Sequence, residues 1–143
     1  MRPEALREVY YAFDRADLLP ESTPALETLY QMLTDNPEVK IRLTAHTDRR
    51  GTASYNARLS QQRAESVVRY LIGRGIAPER LEAMGRGSDE PYTVTKRTAA
   101  VHPFLAVGTV LTPDFIASLS SPEEQAVCDQ LNRRTAFEVR ATP

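Results

Sequence analysis

Two oppositely charged side chains stand out in residues 44–63, TAHTDRRGTASYNARLSQQR. Asp48 falls in a polar stretch typical of a loop, and Arg63 falls on the helix predicted to follow it. Gly51 and Asn56, between them, are suited to turning a chain and opening a helix. A carboxylate and a guanidinium held apart on rigid elements can bind the ammonium and the carboxylate of one ligand. The pattern therefore indicates recognition of an amino acid rather than catalysis.

The pair formed by Asp48 and Arg63 also has a purely structural interpretation. The two side chains can form an ordinary salt bridge from loop to helix, which stabilises a fold only weakly when it is exposed. Alternatively, the Asp48 carboxylate can accept hydrogen bonds from the backbone of its own turn. The residue types and their spacing leave these interpretations open beside ligand recognition.

Neighbouring residues are secondary candidates for the same site. Asn56, Leu59 and Arg63 are three and four positions apart, so they share one face of a helix. Asn56 can cap the start of that helix, where backbone amides also attract anions. Thr47 can offer a hydroxyl to a ligand or simply be a solvated loop residue. His46 lies on the polar side of a predicted strand, and we expect a structural or ligand-adjacent role for it rather than metal binding.

The elements that must hold these side chains alternate between strands and helices. Aromatic and β-branched residues predict a first strand at 9–13, and alternating polarity predicts a second at 39–45. Helical spacing of apolar residues predicts one helix between these strands and another from about residue 56 to 72. A third strand is predicted over 81–84. The order β-α-β-α-β favours a layered sheet with helices on one or both faces.

The last part of the chain is less regular but contains clear helix starts. A Thr-Pro pair predicts a short helix over residues 112–119. The sequence SPEE at 121–124 is a stronger start, because serine can cap, proline suits the first helical position and glutamate completes a capping box. That helix should end near residue 133, and alternation over 135–140 predicts a final strand.

Composition limits the classes of function. The chain has 143 residues, 41% hydrophobic and 26% charged, as expected of one globular domain over residues 1–143. The net charge of −1 gives no electrostatic basis for binding nucleic acid or an anionic membrane. All 18 basic residues except Lys40 and Lys96 are arginine, a bias that suits carboxylate or phosphate recognition or reflects a GC-rich genome.

The remaining sequence features exclude several other classes. Cys128 is the single cysteine, so an internal disulfide and a cysteine-based metal site are excluded, and we expect it to pack as a small hydrophobe. No apolar run has the length of a membrane-spanning helix. Because Met1-Arg2-Pro3 leads directly into a strand pattern without a signal peptide, we expect a domain cut from a longer protein.

Several linked motifs, in order, resemble the signature of OmpA C-terminal-like domains. These are the peptidoglycan-binding domains found also in peptidoglycan-associated lipoproteins and flagellar stator proteins. The matching residues are 44–48 (TAHTD), Gly51, Asn56, Leu59-Ser60, Arg63-Ala64, 73–80 (GRGIAPER), 85–91 (GRGSDEP) and 132–134 (NRR). The resemblance covers nearly the whole chain, and the linkage of the motifs makes it specific.

The resemblance implies a fold, a ligand and a set of contacts. The fold is α+β, a β-α-β-α-β sandwich with a mixed sheet. In similar domains, the residues matching Asp48 and Arg63 take the ammonium and the carboxylate of diaminopimelate in the peptide stem of peptidoglycan. In similar domains the motif that contains Asn132 and Arg133 lies near the ligand pocket, so these two join Thr47, Asn56 and Leu59 as further candidate ligand contacts. The implied function is noncovalent anchoring to the cell wall from a periplasmic, outer-membrane-associated position, with no catalytic residue, metal or cofactor.

Residues 92–131 depart from the shorter family members. They form a longer loop and helical segment before and including the last helix, and the text of 94–119 resembles a subgroup of Bacteroidota outer-membrane lipoproteins that serve type IX secretion. Two other functions therefore stay open. The domain can be an interaction module for outer-membrane or secretion-complex proteins without wall binding. A peptidoglycan hydrolase is disfavoured, because Cys128 lies inside a helix and His46 and His102 lie in unrelated places.

Overall fold

The computed structural model describes residues 4–6, 11 and 15–141. Within these residues, the elements follow one another as β1 (Glu4–Leu6), α1 (Thr23–Asp35), β2 (Lys40–His46), α2 (Ala53–Gly73), β3 (Leu81–Gly85), α3 (Lys96–Val101), α4 (Pro113–Ala117), α5 (Pro122–Asn132) and β4 (Arg134–Ala141). Short 3₁₀ turns at Pro20–Ser22 and Pro78–Arg80 precede α1 and β3.

The strands form one mixed sheet in the order β1-β4-β2-β3. β4 lies antiparallel to both β1 and β2, whereas β2 and β3 are parallel because α2 carries the chain back between them. The predicted α+β fold with a mixed sheet is therefore confirmed. The last strand lies between the first two, so residues near the C-terminus stand beside the loop that follows β2.

The first strand differs from its prediction. Most of the predicted strand at 9–13 lies outside the described residues, of which only Tyr11 falls in that range. Tyr11 forms an isolated antiparallel bridge with Leu18, and the described strand β1 is Glu4–Leu6.

One face of the sheet is covered by α1 and α2. Ile41 and Leu43 of β2 are fully buried with leucines of α1 and with Val67 and Leu71 of α2. The intervening residues of β2 point to the opposite face, as the alternation predicted. There, Arg42 forms cross-strand ion pairs with Glu82 of β3 at 2.5 Å and with Glu138 of β4 at 3.2 Å.

Helix α2 lies unusually close to β3. A Cβ atom added to Gly85 would lie 2.2 Å from the backbone nitrogen of Gln61, so only glycine permits this approach. The Gln61 side chain uses the proximity, because its Oε1 accepts the Gly85 N–H at 2.8 Å and its Nε2 donates to the Ala83 carbonyl at 3.2 Å. Ser60 adds a hydrogen bond from the Gly87 N–H to its Oγ at 2.9 Å.

The segment 92–131 has a hydrophobic core of its own. Val94, Leu105, Leu111, Ile116 and Cys128 are buried together, which confirms the expected packing of the cysteine. Helices α4 and α5 begin where the capping signals predicted. Thr112 Oγ1 accepts the Phe115 N–H, and Ser121 Oγ accepts the Glu124 N–H. Helix α3 was not predicted.

Candidate functional site

The loop after β2 holds Asp48 in a defined position. Thr47 donates its backbone N–H to the Gly87 carbonyl at 2.8 Å, and its hydroxyl donates to the Asp48 carbonyl at 3.1 Å. Thr47 is buried, so the alternative of a solvated loop hydroxyl is wrong. Gly51 has a φ of +92°, which turns the chain from the loop into α2 at little steric cost.

The carboxylate of Asp48 is buried, and both of its oxygens accept hydrogen bonds. Its Oδ1 accepts the backbone N–H of Arg50 at 2.9 Å. Its Oδ2 accepts hydrogen bonds from Arg133 Nη1 at 2.5 Å and from Arg50 Nη2 at 2.8 Å and Nε at 3.2 Å. Burial raises the pKa of Asp48, but the hydrogen bonds from Arg50 and Arg133 outweigh it, and the net pKa lies below its usual value. Asp48 is therefore an anion at neutral pH.

A second ion pair fastens the same loop to α5. Arg49 donates from Nε and Nη2 to the two carboxylate oxygens of Asp129, at 3.0 and 3.3 Å. Asp129 is buried, and it lies one helical turn before Arg133 on α5. Sequence reasoning missed Arg49, Arg50 and Asp129. The sequence signal available for Asp129 is its spacing of four residues from Arg133, which is typical of two residues on one helix face.

Helix α2 begins earlier than predicted. Thr52, not Asn56, is its N-cap, because Thr52 Oγ1 accepts the Tyr55 N–H at 3.2 Å. The prediction of Asn56 as the opening cap is wrong. Asn56 lies buried in the first turn, where its Nδ2 donates to the Arg50 carbonyl at 2.9 Å. This hydrogen bond connects the Asp48 loop to the start of α2. Leu59, on the same face, is also buried and packs toward the interior.

Arg63 is held by the N-terminal segment rather than by Asp48. Its Nε donates to the Arg15 carbonyl at 3.0 Å, and its guanidinium carbon lies 4.9 Å from the centroid of the Tyr11 ring. Among the described residues, the ion-pair partners of Asp48 are Arg50 and Arg133. The structural interpretation of Asp48 and Arg63 as one salt bridge is therefore wrong, whereas Asp48 does organise its own turn.

Tyr11 connects Arg63 to the end of the sheet where Asp48 lies. Its hydroxyl donates to the Arg63 carbonyl at 3.3 Å and shares a 2.8 Å hydrogen bond with Thr135 Oγ1. Burial raises the pKa of Tyr11 to about 12, so the hydroxyl keeps its proton. Thr135 is two residues after Arg133, at the start of β4. Asp48 is thus connected to Arg133, and Arg63 is connected through Tyr11 to Thr135.

The motif before β4 divides into two roles. Arg133 reaches Asp48, as the preceding hydrogen bonds show. Asn132 instead faces inward, where its Oδ1 accepts the Tyr92 N–H at 2.8 Å and its Nδ2 donates to the Leu111 carbonyl at 3.1 Å. Because both ends of its amide are used, Asn132 joins the end of α5 to the backbone at Tyr92 and Leu111.

His46 closes β2 as a neutral side chain. Burial, together with the smaller effects of the nearby charges of Arg134 and Arg86, lowers its pKa from 6.5 to about 3. Within the described residues, its buried Nδ1 has no hydrogen-bond partner. Arg134, its cross-strand neighbour, donates to the Glu90 carbonyl at 2.8 Å. The described residues also contain no group of three or more His, Cys, Asp and Glu side chains that could hold a metal ion.

Other described features bear on chemistry and location. Cys128 is buried, and burial raises the pKa of its thiol, which disfavours a thiolate nucleophile. In the described part of the chain, no helix combines the length and the apolar character needed to cross a membrane.

Known proteins resemble this chain over most of its length. Outer membrane protein A from Shimwellia blattae is 41% identical over 88 residues, 60% of this chain and 36% of that protein. The peptidoglycan-associated lipoprotein from Burkholderia pseudomallei superposes with a TM-score of 0.65 and 24% identity, over 92% of this chain and 88% of that one. The cell wall anchor of the type VI secretion system from Pseudomonas aeruginosa superposes with a TM-score of 0.59 and 25% identity, over 90% of this chain and 73% of that one.

The family model gives the identity of the domain. The chain spans little more than a third of the length of the outer membrane protein A that it matches. The model of the OmpA family matches residues 10–102, which include β2, α2, β3 and both Asp48 and Arg63. Since that match covers well over half of the 143 residues, the chain belongs to the OmpA family.

Proposed function

We propose that this domain binds peptidoglycan noncovalently through the peptide stem. Asp48 takes the ammonium and Arg63 the carboxylate of the stem diaminopimelate. The observation that carries the proposal is the pair of separate supports: Asp48 is held as an anion by the loop and α5, and Arg63 is held by Tyr11 and the Arg15 carbonyl. Two opposite charges that are held apart can each form an ion pair with one end of a zwitterionic ligand.

The relatives support the biological context of this proposal. One of them is named as an outer membrane protein, one as a peptidoglycan-associated lipoprotein and one as a cell wall anchor. We infer that the domain acts in the periplasm as the wall anchor of an outer-membrane protein. Its attachment to a lipoprotein or to a type IX secretion complex is part of the proposal.

Pulldown with purified peptidoglycan tests the site. We expect Asp48→Ala and Arg63→Ala each to reduce cosedimentation to background, because each removes one of two charge-assisted contacts. Arg58→Ala, an exposed arginine on the same helix as Arg63, is the matched control and should bind as the wild type does. Circular dichroism checks that each variant is folded. If both site variants cosediment with peptidoglycan as the wild type does, the assignment of Asp48 and Arg63 to the binding site is wrong.

A protein-interaction role is the second candidate, and one observation favours it. Val101, Val107 and Val110 of the segment 92–131 are 67%, 57% and 44% exposed, although other apolar residues of that segment pack around its own core. Titration with a diaminopimelate-containing stem peptide separates the two functions. A folded wild-type domain that binds no stem peptide would favour the interaction role. Release of soluble fragments from labelled peptidoglycan would instead indicate a hydrolase.

A further inference from the structure

The carboxylate that is proposed to take the ligand ammonium is already occupied by this chain. Asp48 Oδ2 accepts three N–H donors from two guanidinium groups, and Oδ1 accepts a backbone N–H. A carboxylate oxygen has room for about two good hydrogen bonds, so an incoming ammonium has no open position on Oδ2. One of the two guanidinium groups must leave Oδ2 before the ammonium can make a short contact with that oxygen, whereas Oδ1, with one backbone N–H, keeps a second acceptor position.

The two guanidinium groups differ in how firmly they are held. The Arg50 side chain is 66% exposed, whereas the Arg133 side chain is 37% exposed and makes the shorter hydrogen bond to Asp48. Arg133 also ends α5, which the buried Asp129 fastens to Arg49. Because the Arg50 guanidinium is largely solvated, it loses less on leaving Asp48 than the more buried Arg133 would. Arg50 is therefore the group that can leave.

Departure of the Arg50 side chain leaves the loop intact. The backbone N–H of Arg50 still donates to Asp48 Oδ1, and the Arg50 carbonyl still accepts from Asn56 Nδ2 at 2.9 Å. Neither contact involves the guanidinium. The main chain of residue 50 thus fixes Asp48, while its side chain covers the outer side of the same carboxylate.

We propose that the guanidinium of Arg50 is a tethered competitor that occupies the ammonium position on Asp48 and sets the specificity of the site. The inference rests on the proposed function. A ligand with an ammonium alone exchanges one ion pair with Asp48 for another and gains little. A ligand that also carries a carboxylate adds its contact with Arg63 to that exchange. Competition by Arg50 therefore favours zwitterionic ligands over simple amines.

Calorimetric titration with the tripeptide L-Ala–γ-D-Glu–meso-diaminopimelate tests this inference. The full chain is compared with its Arg50→Gln, Arg58→Gln and Asp48→Asn variants. We expect Arg50→Gln to bind about two- to fivefold more tightly than wild type, because it removes an ion pair whose arginine is exposed to solvent. Arg58→Gln, which lowers the charge equally at an exposed position of α2, should leave Kd unchanged. Asp48→Asn should abolish binding.

The salt dependence of Kd, compared between wild type and Arg50→Gln, gives a second readout. In the wild type, ligand binding replaces one ion pair of Asp48 by another, so the effects of NaCl at Asp48 largely cancel and the contact with Arg63 sets the salt slope. In Arg50→Gln no pair is lost, and Kd should rise more steeply with NaCl.

The possible outcomes separate the two proposals. Weaker binding by Arg50→Gln would make Arg50 a direct ligand contact and overturn the competitor role. An unchanged Kd together with an unchanged salt slope would also overturn the competitor role. If wild type and Arg50→Gln both fail to bind the tripeptide, the proposed function itself fails and the competitor role falls with it. Tighter binding with a steeper salt slope supports the competitor role.

Discussion

Arg133 donates from Nη1 to Asp48 Oδ2 at 2.5 Å and so joins two residues that are 85 positions apart in the chain. The contact spans from the end of α5 to the loop after β2. It exists because β4 lies beside β2, which brings residue 133 next to residue 48 at one end of the sheet. Arg133, at the end of α5, therefore contributes to a site whose other two charged residues, Asp48 and Arg63, lie in the first half of the chain.

Removal of this contact should destabilise the fold measurably. We expect Arg133→Gln to lower the free energy of unfolding by about 1–2 kcal/mol, because a buried carboxylate loses a charge-assisted hydrogen bond. Urea denaturation at pH 7 measures the loss. Arg140→Gln is the control, since Arg140 pairs with Glu82 at 3.3 Å where both side chains are about one third exposed, and the expected loss is below about 0.5 kcal/mol. Equal losses in the two variants would contradict the prediction.

His46 should make the domain less stable in mild acid. Its pKa is about 3 when folded and 6.5 when unfolded, so between these values the unfolded state binds the extra proton. Stability is therefore complete above pH 6.5 and falls as the pH drops, by up to about 1.4 kcal/mol per pH unit.

Denaturation curves between pH 7 and 4 test this dependence in wild type and in His46→Gln. The variant has no titrating group at this position, so its curve should be flatter over the same range. Parallel curves for the two proteins would show that His46 is not the cause.

The approach of α2 to β3 predicts a sharp difference between two glycines. Gly85→Ala should cost about 2–3 kcal/mol or more, because the added Cβ would lie 2.2 Å from the Gln61 nitrogen and must push the helix away. Gly73→Ala is the matched control, since nothing lies within 4 Å of its added Cβ at the end of α2. We expect that change to be neutral or to stabilise by up to about 1 kcal/mol. Thermal unfolding of both variants is sufficient, and similar midpoints would refute the close approach.

Asn132 should be needed for folding more than for ligand contact. Asn132→Ala leaves the Tyr92 N–H and the Leu111 carbonyl without their partner, at a cost of about 1–3 kcal/mol. Proteolysis within residues 92–131 should accelerate in this variant, while the stem-peptide Kd of the folded fraction stays near the wild-type value. A large loss of affinity with unchanged proteolysis would instead make Asn132 a ligand contact.

Local signals in the sequence predicted most of the fold. The alternation of β2, the helices that begin after Thr112 and Ser121, and the buried Cys128 all follow from periodicity and capping rules that act over a few residues. The sequence prediction places the cap of α2 at Asn56, whereas the structure has it at Thr52, and both residue types are good caps. Choosing between them requires the turn at Gly51, which the sequence alone does not show.

The partners of the site residues were beyond sequence reasoning. Asp48 contacts Arg133, and Arg49 contacts Asp129, over separations of 85 and 80 residues. Such pairs depend on the order of strands in the sheet, which the periodicity of each strand does not encode. For the same reason, the position of Arg63 over the Tyr11 ring could not be foreseen, although Arg63 itself was selected.

The amide of Gln61 has a consequence beyond the packing of α2. A strand at the border of a sheet offers unpaired N–H and C=O groups, onto which a strand of another molecule can add and begin a chain of intermolecular pairing. In β3, the Gly85 N–H and the Ala83 carbonyl are both taken by one side chain of the same molecule. Gln61 therefore makes these two backbone groups at the edge of the sheet unavailable for pairing with a strand of another molecule.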